Sequence, residues 1–448
     1  VISDALRGLR DRGHDVVRAV LVGGREKLPS TGELELAGVE VTAGGEPVAM
    51  LARCLDELRP EAVMDLSDEP VLDYRSRHLL AAVALGRGVP YEGADFGFSP
   101  PSRPRVASIP SLAVIGTGKR TGKTAVAGYA ARTLARAGVS PVMVAMGRGG
   151  PAEPEVLRGD EIALTPSDLL ALANAGKHAA SDYVEDAALA RVPTVGCRRC
   201  GGGLAGGVSI SNVRRGVEMA NDLGGGLCLL EGSGSAIPPV HADATVLVAP
   251  ANLPGEYITG YFGPYRLLLS DLVVVTICEE PFASPARVSA LSSRIRDTWA
   301  AVRGERGEVE VVRTVFRPSP TRSVAGARVC VTTTAPEAAG ESIRRHLEME
   351  HRCEVVGISH SLSDRARLEA DLDDMMTKGA DILLCEIKAA AIDVATRRAL
   401  DEGLEVVYMD NLPTSLEADD ASAAIERAAG LAHRRFEAHA RGVNARGV

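Results

Sequence analysis

Aromatic side chains are scarce in this chain: Phe, Trp and Tyr make up 3% of its 448 residues. Any large core must therefore rest on Val, Leu, Ala and Ile, and the apolar types together reach 46%. No apolar run approaches the ~18 residues that a membrane-crossing helix needs, so no membrane partner is expected. Positive charge is not in excess either. A net charge of −9 and an isoelectric point near 5.6 argue against a general nucleic-acid binder. The cysteines include Cys197-x-x-Cys200, but no second Cys or His pair stands at zinc spacing. Cys228, Cys278, Cys330 and Cys385 lie in apolar strand-like runs and read as buried, reduced thiols, which points to a cytoplasmic setting. The first residues carry no signal-peptide pattern. The chain opens on Val1 directly into a helical pattern, and a first strand is expected ahead of it.

What is present is organised around residues 111–138, SLAVIGTGKRTGKTAVAGYAARTLARAG. An apolar run, 112–115, predicts a buried parallel strand. A turn of Gly, Lys and Thr follows. Then Val126, Tyr129, Ala130, Thr133, Leu134 and Ala137 recur at helical spacing. Strand, glycine loop, Gly122-Lys123-Thr124 and helix give the context of a phosphate loop. Glycines let backbone N–H groups wrap a polyphosphate, and the helix start adds partial positive charge. The nucleotide would lie on Gly116, Thr117, Gly118, Lys119, Arg120, Thr121, Gly122, Lys123 and Thr124. Lys123 would reach the β and γ phosphates, and the Thr124 hydroxyl would ligate Mg²⁺. The strict pattern asks for Gly where this chain has Thr117, flanked by Gly116 and Gly118. Lys119 and Arg120 add cations inside the loop, as suits charge developing on a transferred phosphoryl group.

The expected fold class is α/β. A central P-loop NTPase domain with a mainly parallel sheet is flanked by N- and C-terminal Rossmann-like units. Residues 1–98 read as a small α/β domain and 99–110 as a linker stiffened by Pro100, Pro101, Pro104 and Pro110. Residues 111–326 form the nucleotide-binding domain and 327–414 a third α/β unit with strands near 328–332, 354–358, 382–387 and 406–409. Residues 415–448 read as a C-terminal helix whose apolar face, Ala424, Ile425, Ala428 and Leu431, docks on the body or on a second subunit.

Several loops carry candidate ligands. The strand at 141–146 runs into Gly147-Arg148-Gly149-Gly150, which brings Arg148 toward the outer phosphate. Residues 195–207, VGCRRCGGGLAGG, read as a mobile anion-binding loop with Arg198 and Arg199, since guanidinium groups pair bidentately with phosphate. Glu231 ends the strand at 227–230 beside the phosphate loop, where a carboxylate suits Mg²⁺. Gly232 and Ser233 after it allow close approach by substrate. Lys177-His178 with Ser181, Asp182 and Tyr183, and Glu386 with Lys388 at a strand end, are weaker candidates.

These residues point to an ATP-dependent phosphotransferase or ligase acting on a small anionic metabolite. Two polyphosphates repel. One unit-charge pair at ~4 Å costs roughly 1 kcal/mol in water and about 4 at an effective dielectric near 20, so basic loops must intervene. Two other classes fit the same residues: a different phosphate-loop ligase with carboxylate or amine substrates, and a nucleotide-switch ATPase.

Taken together, GTGKRTGKT at 116–124, MGRGGP at 146–151, GCRRCGGGLAG at 196–206 and EGSGSAIPPV at 231–240 resemble the cyclic 2,3-diphosphoglycerate synthetase family over nearly the whole chain. The phosphate loop and EGSG also resemble, more distantly, dethiobiotin synthetase. The closer resemblance implies ATP and Mg²⁺ as cofactors, 2,3-bisphosphoglycerate as substrate, and an intramolecular phosphoanhydride as product. In that scheme Lys119, Lys123, Arg148 and Glu231 are catalytic, and Thr124 and Glu231 hold the metal. Arg148, Arg198, Arg199, Gly232 and Ser233 bind substrate. A homodimer is expected.

Overall fold

Short apolar runs bounded by glycine and polar turns become strands buried on both faces. The computed structural model describes residues 2–23, 34–303 and 308–442. Those parts of the expected N-terminal unit, nucleotide-binding domain and C-terminal helix that fall on residues 1, 24–33, 304–307 and 443–448 lie outside the described residues. Ser111–Gly116, Pro141–Gly147, Leu227–Glu231, Ala244–Pro250 and Leu272–Thr276 are parallel strands whose residues are all buried. Burial on both faces is why they read as continuous apolar runs rather than alternating ones.

These strands form the middle of a large, mostly parallel sheet. The phosphate-loop strand Ser111–Gly116 lies between Leu227–Glu231 and Ala244–Pro250. On one side Pro141–Gly147, Pro193–Cys200 and Ile210–Ser211 continue outward from Leu227–Glu231. On the other, Leu272–Thr276 is followed by Glu310–Pro320, Glu405–Ser415, Ile382–Glu386, Arg328–Thr332 and Glu354–Ser359. The third α/β unit is therefore hydrogen-bonded into the same sheet as the phosphate loop. The junction is a long antiparallel pair in which Thr314 faces Ser415 and Pro320 faces Met409. The expected strand at 406–409 is thus only the first part of an eleven-residue strand that continues through Pro413. Proline removes one donor, but alternate residues of an antiparallel pair direct their N–H groups to opposite sides, so the ladder survives it.

Helices Lys123–Arg136 and Ala421–Ala440 share one apolar core with this sheet. Val126, Ala130 and Leu134 of the first, and Ala424, Ile425, Ala428 and Ala432 of the second, pack with Leu112, Leu229, Val246 and Val274. Small Ala side chains let the last helix lie close to the strands. Arg435 fixes its far end, donating to both Asp271 oxygens at 2.9 Å and to the Asp243 carbonyl at 3.0 Å. The apolar face of this helix is covered by the chain's own sheet, with Leu431 only half-buried.

A separate compact unit gathers the described residues of Val1–Ser102, Leu253–Ser270 and Ala286–Val309. Its helices Tyr74–Gly86 and Gly263–Leu269 touch so closely that a Cβ on Gly86 would lie 1.8 Å from Leu268 Cδ2. Much of the scarce aromatic content is spent here: Phe98 and Phe262 meet edge-on at 4.8 Å, and His78 and Phe262 at 5.2 Å. Among the described residues no helix is long and apolar enough to cross a membrane.

The helix Val213–Asn221 approaches Pro193–Cys200 through Gly216, where a Cβ would stand 2.1 Å from Cys197 Sγ. Gly216→Ala is expected to destabilise the fold by roughly 1–3 kcal/mol through overpacking. Urea unfolding measures this, and adding Cys197→Ala in the same chain should recover most of the loss.

Candidate active site

The phosphate loop is shaped by what its glycines leave out. A Cβ on Gly116 would lie 2.6 Å from Lys123 Cδ and 2.9 Å from Thr121 Oγ1, so glycine lets Lys123 fold back over the strand end. Arg120 and Gly122 take φ of 57° and 88° and turn the chain into its helix. No side chain caps Lys123–Arg136, which leaves its first N–H groups for an anion. Lys123 Nζ donates to the Gly118 carbonyl at 2.8 Å and reaches Thr121 Oγ1 at 3.4 Å. The Thr117 hydroxyl is buried without a partner.

Acids gather behind Lys123. Glu231 closes its strand in register with Val114 and Ala145 and is 1% exposed. Neither of its carboxylate oxygens has a hydrogen-bond donor. The Thr124 hydroxyl and the Asp186 carboxyl stand beside them without an aligned donor, and burial pushes the Glu231 carboxyl up to about 8. Asp186 is buried as well, one of its oxygens is unpartnered, and burial with Glu231 as neighbour raises it well above the carboxylate range. The helix Asp182–Ala190 supplies Asp186 and, four residues earlier on the same face, Asp182, which lines the cleft. Burial lowers Lys123, while Glu231 and Asp182 counter it by favouring its charge.

Bases stand among these acids. Arg199 is buried, its Nη2 donates to the Ser233 carbonyl at 2.8 Å and to Ser233 Oγ at 3.1 Å, and its Nε has no partner. Burial and then the neighbouring Arg148 charge lower its pKa. Gly234 takes φ of 60° and lies under Arg199 Nη2, 3.3 Å from where a Cβ would be. Gly232 has the Ala236 carbonyl 2.9 Å from its own missing Cβ. Lys119, Arg120 and Arg148 are exposed along the cleft.

A cleft of about 690 Å³ lies at this site. Lys119, Arg120, Lys123, Thr124, Arg148, Glu231, Gly232 and Ser233 are brought together there, with Arg199 held directly behind Ser233. Arg198 is elsewhere. Residues 193–200 are a strand, and its alternation sends Arg198 to the face opposite Arg199. Arg198 Nε donates to the Gly150 carbonyl at 2.6 Å, and its N–H donates to Asn212 Oδ1 at 2.6 Å. The glycines after Cys200 are not unstructured: Gly203 N donates to Gly207 O at 2.9 Å, and Ile237 N to Gly206 O at 2.9 Å. The sequence marks Asp182 only as a weaker candidate and assigns no role to Asp186 or Glu185. The signal for the first two was the i, i+4 acid spacing at a helix start.

Carboxylate and hydroxyl oxygens suit a hard divalent cation, and the unpartnered Glu231 oxygens beside Thr124 fit one.

Three models of one family match the chain: the N-terminal domain of cyclic 2,3-diphosphoglycerate synthetase over residues 1–99, its P-loop domain over 111–314 and its C-terminal domain over 320–412. A cyclic 2,3-diphosphoglycerate synthetase of Rubrobacter xylanophilus is 49% identical over 96% of this chain and 95% of its own length. One of Methanothermus fervidus is 44% identical over 93% of this chain and 91% of its own. The crystal structure of LpxK from Aquifex aeolicus in complex with ATP aligns over 75% of this chain and 90% of its own, with a TM-score of 0.41 and 13% identity, a likeness too slight to carry a conclusion.

Burial favours the protonated form of Glu231 in the native state. The stability this confers is greatest in acid and is lost as pH rises through the raised value. Glu231→Gln removes that loss. Without nucleotide or divalent ions it should melt higher than the parent by several degrees at about pH 9, and by little at about pH 5. Equal differences at both pH values would contradict the assignment.

Proposed function

The chain belongs to the cyclic 2,3-diphosphoglycerate synthetase family, and we propose that it closes 2,3-bisphosphoglycerate into cyclic 2,3-diphosphoglycerate at the cost of ATP, releasing ADP and phosphate. The observation that carries this reading is the likeness to synthetases of that name along almost the entire chain. The basic lining of the cleft supports it, because Lys119, Arg120, Lys123 and Arg148 gather there beside the buried Glu231.

The first step moves the γ-phosphoryl of ATP to an oxygen of one substrate phosphate. The bond to the β-phosphate breaks, ADP leaves, and a mixed pyrophosphate results. In the second step an oxygen of the other substrate phosphate attacks that activated phosphorus and expels inorganic phosphate, closing the ring. Both nucleophiles are ionised phosphates, so positioning and charge neutralisation carry the rate without a strong general base. Lys123 binds the β and γ phosphates, and Lys119 and Arg148 follow the charge that builds on the transferred group. Arg199 directs the acceptor phosphate, since Ser233 offers it only neutral acceptors and its buried Nε has no partner. Gly232 and Ser233 give the backbone close approach. Thr124 and Glu231 would hold Mg²⁺, which supplies further neutralisation of phosphate charge when bound. Eight free cysteines, seven of them buried, fit a reducing cytoplasmic setting. The expected homodimer would need a surface other than the apolar face of the last helix, which is already covered.

Phosphorus NMR tests the reaction. ADP should form only when 2,3-bisphosphoglycerate is present, with one inorganic phosphate for each cyclic product. Turnover of a carboxylate or amine acceptor, with none of the bisphosphate, would reject it. In the same assay Arg199→Ala should raise the KM for the bisphosphate by roughly 10- to 100-fold, the loss of one desolvated charge-assisted contact. Arg198→Ala, removed from the cleft by strand alternation, should leave that KM within about threefold.

A further inference from the structure

One ion pair joins the end of a distant strand to the acidic helix. Lys388 follows the strand Ile382–Glu386, and its Nζ lies 2.5 Å from Glu185 Oε1. Glu185 is 6% exposed. Ala389, next in the chain, takes φ of 50° and lines the cleft with Ile392 and Asp393. The pair therefore stands one residue behind the cleft wall.

The neighbours of the pair are committed elsewhere. Glu386 accepts from Thr333 Oγ1 at 2.5 Å, from Thr334 N at 3.0 Å and Oγ1 at 2.7 Å, and from Asn411 Nδ2 at 2.9 Å. Asp410 pairs with Arg132 of the phosphate-loop helix. Asp182, Glu185 and Asp186 share one short helix, and Glu231 stands beside it, so acidic side chains crowd a place that must admit two polyphosphates, and burial already favours the neutral form of Asp186 and Glu231. Lys123 is drawn to the loop and Arg199 to Ser233. Among the described residues, Lys388 is the base whose ammonium donates to an acid of this helix.

We propose that Lys388 is a positioning residue for anion binding: by pairing Glu185 it cancels one negative charge of the acidic helix, and so lets ATP and the bisphosphate enter together. It acts through Glu185 and touches neither ligand. The identity of the second ligand rests on the functional reading above; the effect on ATP does not.

The experiment compares Lys388→Met, Lys388→Arg and the double variant Glu185→Gln/Lys388→Met with the parent. Affinity for a fluorescent ATP analogue and kcat and KM for both substrates are measured. Lys388→Met should weaken nucleotide affinity and raise both KM values by about tenfold or more, with kcat changed less than about threefold. Lys388→Arg should stay close to the parent. The double variant, which leaves no unpaired buried charge, should return affinity and both KM values to within about threefold of the parent. Unchanged KM values in Lys388→Met would overturn the proposal, as would a loss confined to kcat and melting temperature. A double variant as weak as Lys388→Met would also overturn it, because Lys388 would then contact a ligand itself. If Lys388→Met does not fold, the double variant decides by the same affinity criterion. If the parent makes no cyclic product, the functional reading fails, and the fluorescence arm still decides the role of Lys388.

Discussion

The site depends on the proximity of Lys123, which opens the phosphate-loop helix, to Glu231, which ends a strand beside the phosphate-loop strand. Both are buried, and each alters the other's preference for charge. Water that would soften such a contact at the surface is largely excluded, so every further charge nearby matters more than it would outside. The distribution of bases and acids follows from this. Lys119, Arg120, Lys123 and Arg148 line the cleft, and the carboxyl groups of Glu231 and Asp186 are buried beside it. An acidic protein can thereby present a locally basic pocket to a small polyanion.

The parallel sheet makes this gathering possible. Strand ends at Gly116, Gly147 and Glu231 finish at one edge, and the loops that follow them face a common space, as ligand loops do in open α/β sheets. The direction of a side chain is set by strand parity. Arg198 and Arg199 are chemically equivalent in sequence, yet one steadies the Gly150 turn and the other lies behind Ser233. The long pair Glu310–Pro320 with Glu405–Ser415 ties the last α/β elements into the same sheet, so Lys388 can reach a helix more than two hundred residues earlier in the chain.

Much of the central fold is legible in the sequence, because its strands are uninterrupted apolar runs and the phosphate loop has its own residue chemistry. The helix Lys123–Arg136 matches its periodicity closely. Local pattern fails where contacts are remote. The strand expected at 406–409 runs on through Pro413, because its partner strand decides the matter. Nothing around residue 253 or 286 signals that these segments join the N-terminal residues in one compact unit. In the site, Lys123, Thr124, Arg148, Arg199 and Glu231 carry recognisable motifs. Asp186 and Lys388 do not, since their importance comes from burial and from neighbours supplied by other elements.

The seat of the helix Ala421–Ala440 bears on how the protein comes into being. Its Ala and Ile side chains belong to the same apolar cluster as the phosphate-loop strand, although some three hundred residues separate them. While the ribosome is still elongating, that cluster is open on the side the helix will cover, and its Val and Leu surfaces face water. The nucleotide-binding half can complete its interior only after residue 440 emerges from the exit tunnel. Folding of this half thereby waits for residues 421–440, a contact distant in sequence and slow to form.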